Sequence, residues 1–149
     1  VERNLKVNYH TLELYPITEE IWNVYQLPSE LSSEVGMYKK LHIASWNRKV
    51  PISTRFSLRK EQVDLNSYSP TTKFDVVFFD AFEPGTQPEL WTEEVFSKLY
   101  CWMNPNAVLT TYCSKGDVRR AILKAGFLVD KLPGPPGKRE MIRAIKPLS

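Results

Sequence analysis

Along the chain, short apolar runs of strand length alternate with stretches in which apolar residues recur every third or fourth position. Val7 to Leu14 reads as a strand, and Glu19 to Gln26 as a short helix following Thr18. Pro28 to Pro51 has a weak pattern, an irregular connection with a helix around Met37 to Ile43. Ile52 to Leu58 returns to strand, with Val63 and Leu65 flanking Asp64. The strongest signal is Phe74-Asp-Val-Val-Phe-Phe-Asp80, a continuous apolar run expected to be buried on both faces, as strands of parallel sheets are.

A helix is predicted next, starting at the capping-box spacing Thr86-x-x-Glu89 with Pro88 in its first turn. Trp91, Val95, Leu99 and Trp102 recur at helical spacing and predict one buried stripe, which Asn104-Pro105-Asn106 should end. Ala107 to Cys113 is strand-like. Ser114-x-x-Asp117 is expected to cap a helix whose apolar face holds Val118, Ile122 and Leu123 and which Gly126 ends. Phe127 to Leu132 and Met141 to Ile145 are two further strands, joined through Pro133-Gly-Pro-Pro-Gly137, a loop too short for a parallel crossover. The alternation predicts an α/β fold with a mostly parallel sheet and an antiparallel C-terminal edge, in a single domain over residues 1–149.

Composition narrows the class. With 149 residues, 42% of them hydrophobic and 25% charged, the chain has enough apolar surface for a core without staples, which excludes a disordered or fibrous protein. Its longest apolar run, Val76 to Phe79, is far too short to cross a membrane, and the leading Val-Glu-Arg-Asn is no signal peptide. Cys101 and Cys113 sit in apolar stretches without a Cys-x-x-Cys or Cys/His cluster, the pattern of reduced thiols in a cytoplasmic protein with no metal site. The net charge of +3 is unevenly placed: from Lys115 onward nine lysines and arginines face three acids, so the C-terminal part is basic and the rest acidic. A basic face of this kind suits a polyanion or simply water.

In open α/β sheets ligands meet the carboxyl ends of the strands. The residues following the predicted strands are acidic: Glu13, Asp64 and Asp80. They are expected to emerge side by side on one rim, around a single adenosine-sized cleft, because a carboxylate accepts from a ribose diol or an adenine amine. The six glycines form no Gly-x-Gly-x-x-Gly, phosphate-binding loop or nucleophile elbow. The first strand already ends in the acid that should come second, so the chain is expected to be N-terminally incomplete, to start after its own first strand and glycine-rich turn, and as given to bind a nucleoside cofactor weakly.

Phe78-Phe-Asp-Ala-Phe-Glu-Pro84, followed by Gln87-Pro-Glu-Leu-Trp91, Thr110-Thr-Tyr112, Arg119-Arg120, Ala125-Gly-Phe127 and Gly137-Lys-Arg-Glu-Met141, resembles the methyltransferase domain of the MnmC-like family. The motifs occur in order across Phe74 to Ile145, about half of the chain, and Glu13-Leu-Tyr-Pro16 resembles the family's acid after its second strand. The resemblance implies a Rossmann-like class I methyltransferase sheet, here lacking the first strand and glycine-rich loop. It also implies an S-adenosylmethionine-dependent enzyme that methylates the aminomethyl group of the tRNA wobble uridine, giving 5-methylaminomethyl uridine or its 2-thio form. Glu13 would then bind ribose, Asp64 would lie near adenine, and Asp80 would serve both cofactor and catalysis. A flavin-dependent oxidoreductase, which nothing in this sequence matches, would act on the same uridine as a separate partner.

The implied reaction is in-line attack of a primary amine on a sulfonium methyl, and most of its catalysis is positioning. Asp80 would accept hydrogen bonds from the amine, aim its lone pair and stabilise the growing positive charge. Pro84 would fix the loop so that backbone carbonyls near Phe82 also face the amine. Phe82 would stack on the flipped-out base, Tyr112 would line the substrate pocket, and Trp91 would pack in the core. Arg119, Arg120, Lys124, Lys138 and Arg139 are candidates for phosphate contact; Arg119 and Arg120 diverge by about 100° on a helix, so at most one faces a given phosphate. His10 and His42 read as structural. Two alternatives stay open: a Rossmann-like methyltransferase or aminopropyltransferase acting on a small amine, and a non-catalytic remnant that binds RNA or protein.

Overall fold

The computed structural model describes residues 4–134, 136–137 and 139–148. The chain divides into two compact units, residues 1–68 and 69–149. The first unit is a three-stranded sheet of order β1-β3-β2, with β1 at Val7–Leu12, β2 at Lys49–Pro51 and β3 at Phe56–Glu61. β1 and β3 run parallel with Leu12 beside Glu61, and β2 adds an antiparallel neighbour on the other side of β3. β2 falls within the stretch expected to be irregular. Ile52 to Arg55 turn back on themselves, with the amides of Ile52 and Ser53 donating to the Phe56 carbonyl, so the strand placed at Ile52 to Leu58 starts four residues later.

Helix α1 covers only Glu19–Trp22, shorter than expected. A 3₁₀ turn at Ser29–Glu34 leads into α2, Val35–Ile43. The C-terminal end of α2 is held by a buried cation: the Lys60 ammonium on β3 donates to the carbonyls of Leu41 and His42 at 2.9 and 2.7 Å and lies 4.8 Å from the centre of the Trp46 ring. Those carbonyls lack helical partners, and a lysine there satisfies them while complementing the helix dipole.

The second unit is a four-stranded sheet of order β4-β5-β7-β6, with β4 at Phe74–Phe78, β5 at Met103–Thr111, β6 at Leu128–Pro133 and β7 at Glu140–Ile145. β4 and β5 are parallel, and β7 pairs antiparallel with both β5 and β6. The antiparallel C-terminal edge is as expected. β4, however, is not buried on both faces: it lies at the edge of its sheet, and Val76 and Phe78 are 50% and 65% exposed.

Helix α3 runs from Glu93 to Trp102, and its N-cap is Thr92, whose hydroxyl accepts from the Val95 amide. The capping box expected at Thr86 does not form. Pro88–Leu90 instead close a 3₁₀ turn with proline at its start, and Trp91 stands between that turn and the helix. Asn104-Pro105-Asn106 belong to β5 rather than to a connection, with Asn106 in the left-handed region at φ +62° and the register to β4 shifting between Phe74 and Val76. Helix α4 covers Gly116–Lys124; its N-cap is Lys115, with no side-chain cap, so Ser114 does not serve as expected. Gly126 does end it. At φ +100° the amides of Gly126 and Phe127 return to the carbonyls of Leu123 and Ile122, and an added Cβ would meet the Tyr100 ring at 3.4 Å. Phe96, Met103, Leu109, Ile122 and Ile142 are wholly buried and form the core between the sheet and its helices.

Candidate active site

In the second unit the ladder between β4 and β5 runs one residue past β4, the Phe79 amide donating to the Thr110 carbonyl at 2.8 Å. The chain then releases Asp80, exposed, at the carboxyl end of this parallel pair, beside the point where Tyr112 leaves β5. Two side chains hold the loop that follows. The Tyr112 hydroxyl donates to the Ala81 carbonyl at 2.8 Å, and the Trp91 indole Nε1 donates to the Phe82 carbonyl at 2.7 Å. The amides of Thr86 and Gln87 close on the Glu83 carbonyl, and the Glu83 carboxylate lies 3.9 Å from the Lys115 ammonium. Pro84 is half-buried within this turn.

Of the carbonyls near Phe82 expected to face a substrate amine, those of Ala81 and Phe82 each accept from one of the protein's own donors. The Phe82 ring points outward and is 71% exposed, so it does not pack beneath the helix. Trp91 is buried, as expected, with its ring edge-on to Phe79 at 5.0 Å and to Tyr112 at 6.0 Å. Burial pushes the Tyr112 phenol above its ordinary pKa, and the charges of Cys113, Asp80 and Glu83 push the same way. The hydroxyl keeps its proton and remains a donor.

A polar cleft of about 380 Å³ opens next to this loop, lined by Tyr112, Ser114, Arg139 and Glu140. The sequence marks Ser114 as a helix cap and Glu140 as part of the motif Gly137-Lys-Arg-Glu-Met141, and neither as lining a cleft. Only the fold brings the end of β5 beside the start of β7, so no local pattern gives them that place. Of the basic candidates, Arg139 is exposed and lines this cleft, whereas Arg119 is half-buried on α4. Arg120 pairs with Asp117, and Lys124 lies 3.4 Å from Glu93, so much of the α4 charge is matched by acids. Lys138 lies outside the described residues.

In the first unit, Glu13 and Asp64 both follow the carboxyl ends of the parallel pair β1 and β3. The Glu13 amide extends the ladder to the Glu61 carbonyl, and its carboxylate Oε1 accepts from the Tyr15 amide at 2.8 Å. Asp64 turns back on itself, Oδ1 accepting from the Asn66 amide at 2.8 Å. Each acid thus has one oxygen fixed by the backbone and so has a defined orientation. In the same sheet His10 lies 3.3 Å from Glu61 and 3.2 Å from the Tyr68 hydroxyl, and on the helices His42 of α2 stacks on Trp22 of α1 with ring centroids 5.1 Å apart. Both histidines thus have partners within the first unit. Among the described residues no three His, Cys, Asp or Glu side chains gather to hold a metal ion, both cysteines are free, and no helix is long and apolar enough to cross a membrane.

Parallel strands that release acids at their carboxyl ends, with an antiparallel edge beyond, define an α/β fold of the nucleoside-binding type. The chain superposes on the solved structure described as MNMC2 from Aquifex aeolicus with a TM-score of 0.74 and 23% identity, over 97% of this chain and 47% of that one. Residues 34–147 match the family model for S-adenosyl-L-methionine-dependent methyltransferases, and the chain belongs to that family. Among curated relatives, the tRNA 5-methylaminomethyl-2-thiouridine biosynthesis bifunctional protein MnmC of Nitrosospira multiformis is 32% identical over 95% of this chain and 24% of its own length. Its namesake from Ectopseudomonas mendocina is 29% identical over 94% of this chain and 22% of its own. The chain thus spans about a quarter of the length of these relatives. The carboxylates of Glu13 and Asp64 fit the family's cofactor in kind, as oriented acceptors for a ribose diol and an adenine amine.

Proposed function

We propose that the protein methylates the primary amine of a 5-aminomethyl group on the wobble uridine of tRNA, in the cytoplasm, with Asp80 as its catalytic carboxylate. The observation that carries this reading is Asp80 itself: an exposed acid at the end of β4, on a loop pinned at the next two carbonyls, with the exposed Phe82 ring two residues on. The names of the curated relatives support the substrate. When bound, the cofactor supplies an electrophilic methyl group.

The Asp80 carboxylate would accept an N–H hydrogen bond from the neutral amine and direct its lone pair outward. It would then stabilise the positive charge that grows on nitrogen as the new N–C bond forms and the S–CH₃ bond breaks. The extra proton leaves the ammonium product to water, so Asp80 need not act as a strong base. Phe82 would stack on the flipped base, and Tyr112 and Arg139 would line the substrate side with Pro84 shaping the loop. Arg119 and Lys138 would contribute phosphate contacts, and Glu13, Asp64 and Asp80 would each serve the cofactor. The amine would be furnished by a flavin-dependent oxidoreductase acting on the same uridine.

The test is methyl transfer from labelled cofactor to tRNA carrying the aminomethyl group, set against unmodified tRNA and free polyamines. Label confined to the wobble uridine of the modified tRNA is the expected result. Label on free amines without tRNA would overturn the proposed substrate in favour of a small-amine enzyme, and label on none would overturn methyl transfer to amines.

A further inference from the structure

The spacing between Asp80 and Trp91 has a structural reason. Trp91 sits at the end of the 3₁₀ turn, outside α3, and reaches back nine positions to the Phe82 carbonyl, while Tyr112 at the end of β5 reaches the neighbouring Ala81 carbonyl. The two rings also meet edge-on at 6.0 Å, so the donors form one block backed by Phe79 and Phe96. Two consecutive peptide units directly after Asp80 are therefore fixed by side chains from two other elements. A loop with this many fixed backbone groups resists the torsional drift that would otherwise let an exposed carboxylate swing away.

We propose that Trp91 and Tyr112 are positioning residues for methyl transfer: their N–H and O–H clamp the carbonyls of Ala81 and Phe82 and so hold the Asp80 carboxylate and the Phe82 ring in working position. The assignment rests on the reading of Asp80 given above. It gives Tyr112 a task in addition to lining the substrate side, and Trp91 one beyond filling the core. Because Tyr112 stays protonated, its half of the clamp persists across the neutral range.

The test uses Tyr112→Phe, which removes one oxygen and keeps the ring, and replacement of Trp91 by β-(3-benzothienyl)alanine, which keeps the bicyclic shape without the N–H. Each is expected to lower kcat by about tenfold while leaving KM for tRNA and for cofactor within about twofold, the signature of lost alignment rather than lost binding. Without cofactor or tRNA, amide exchange should speed up over residues 81–87 and stay unchanged in β5 and β7, a readout independent of activity. Unchanged kcat with unchanged exchange would overturn the clamp. A rise in tRNA KM at constant kcat would overturn it differently, by leaving the two donors no part in alignment. If the unsubstituted protein transfers methyl groups to no amine, the functional reading fails first, and that outcome differs from an active enzyme indifferent to both changes.

Discussion

The second unit buries Phe96, Met103, Leu109, Ile122 and Ile142 completely, whereas among the described residues of the first the buried side chains are Trp22, Ala44, Leu58 and the cation of Lys60. The first unit relies on other contacts: Lys60 on the end of α2, the stack of His42 on Trp22, and the group formed by His10, Tyr68 and Glu61. The difference separates two tasks. A close-packed apolar core has few alternative arrangements and suits the loop whose carboxylate must be aimed. Polar and aromatic contacts give way more readily and depend on protonation.

Four experiments would break or sharpen this contrast. Phe96→Ala should have the largest effect, a loss of about 3–5 kcal/mol in stability measured by urea unfolding, because the cavity opens in the packed unit. A loss under 1 kcal/mol would deny that unit its close-packed core. Next, Asp80→Asn should lower kcat by about a hundredfold with the unfolding midpoint unchanged, since the change removes charge stabilisation at an exposed position.

Lys60→Met should cost about 1–3 kcal/mol by leaving the Leu41 and His42 carbonyls without their donor, with faster amide exchange confined to α2 and β3. Exchange spreading equally through β5 and β7 would contradict the division of labour. The smallest effect is that of pH. Burial lowers the pKa of His10 despite the opposing pull of Glu61, and burial together with the Lys60 charge lowers that of His42. Both rings therefore bind protons less readily folded than unfolded. Their contribution is full above the ordinary value of 6.5 and declines as pH falls from there towards the depressed folded values. Exchange in β1 and α2 should rise over that window while β5 and β7 hold, since the second unit has no histidine.

The elements carried by local chemistry were legible. The apolar run before Asp80, the α4 stripe with Gly126 after it, and the two C-terminal strands all needed only neighbours in sequence. So was the place of Asp80 at a strand end. What escaped depends on partners far along the chain. Thr86 carries the better local capping pattern, yet Trp91 stands clear of the helix and reaches Phe82, and Thr92 caps the helix instead. The exposure of Val76 and Phe78 follows from where β4 stands in its sheet, which a run of apolar letters does not encode. The same holds for the Ala81 and Phe82 carbonyls, because a carbonyl's partner leaves no trace in its own residue type.

Helix α3 ends at Trp102 and strand β5 starts at Met103, with no connector between them. Met103 is at once the last cap of the helix and a wholly buried strand residue, and the Lys146 ammonium staples the carbonyls of Tyr100 and Met103 across the splice. Such a joint has no spare length. Adding or deleting one residue there would turn every side chain of β5 to the opposite side, and Tyr112 would trade places with its neighbours. At this junction the chain tolerates changes of letter more readily than changes of count.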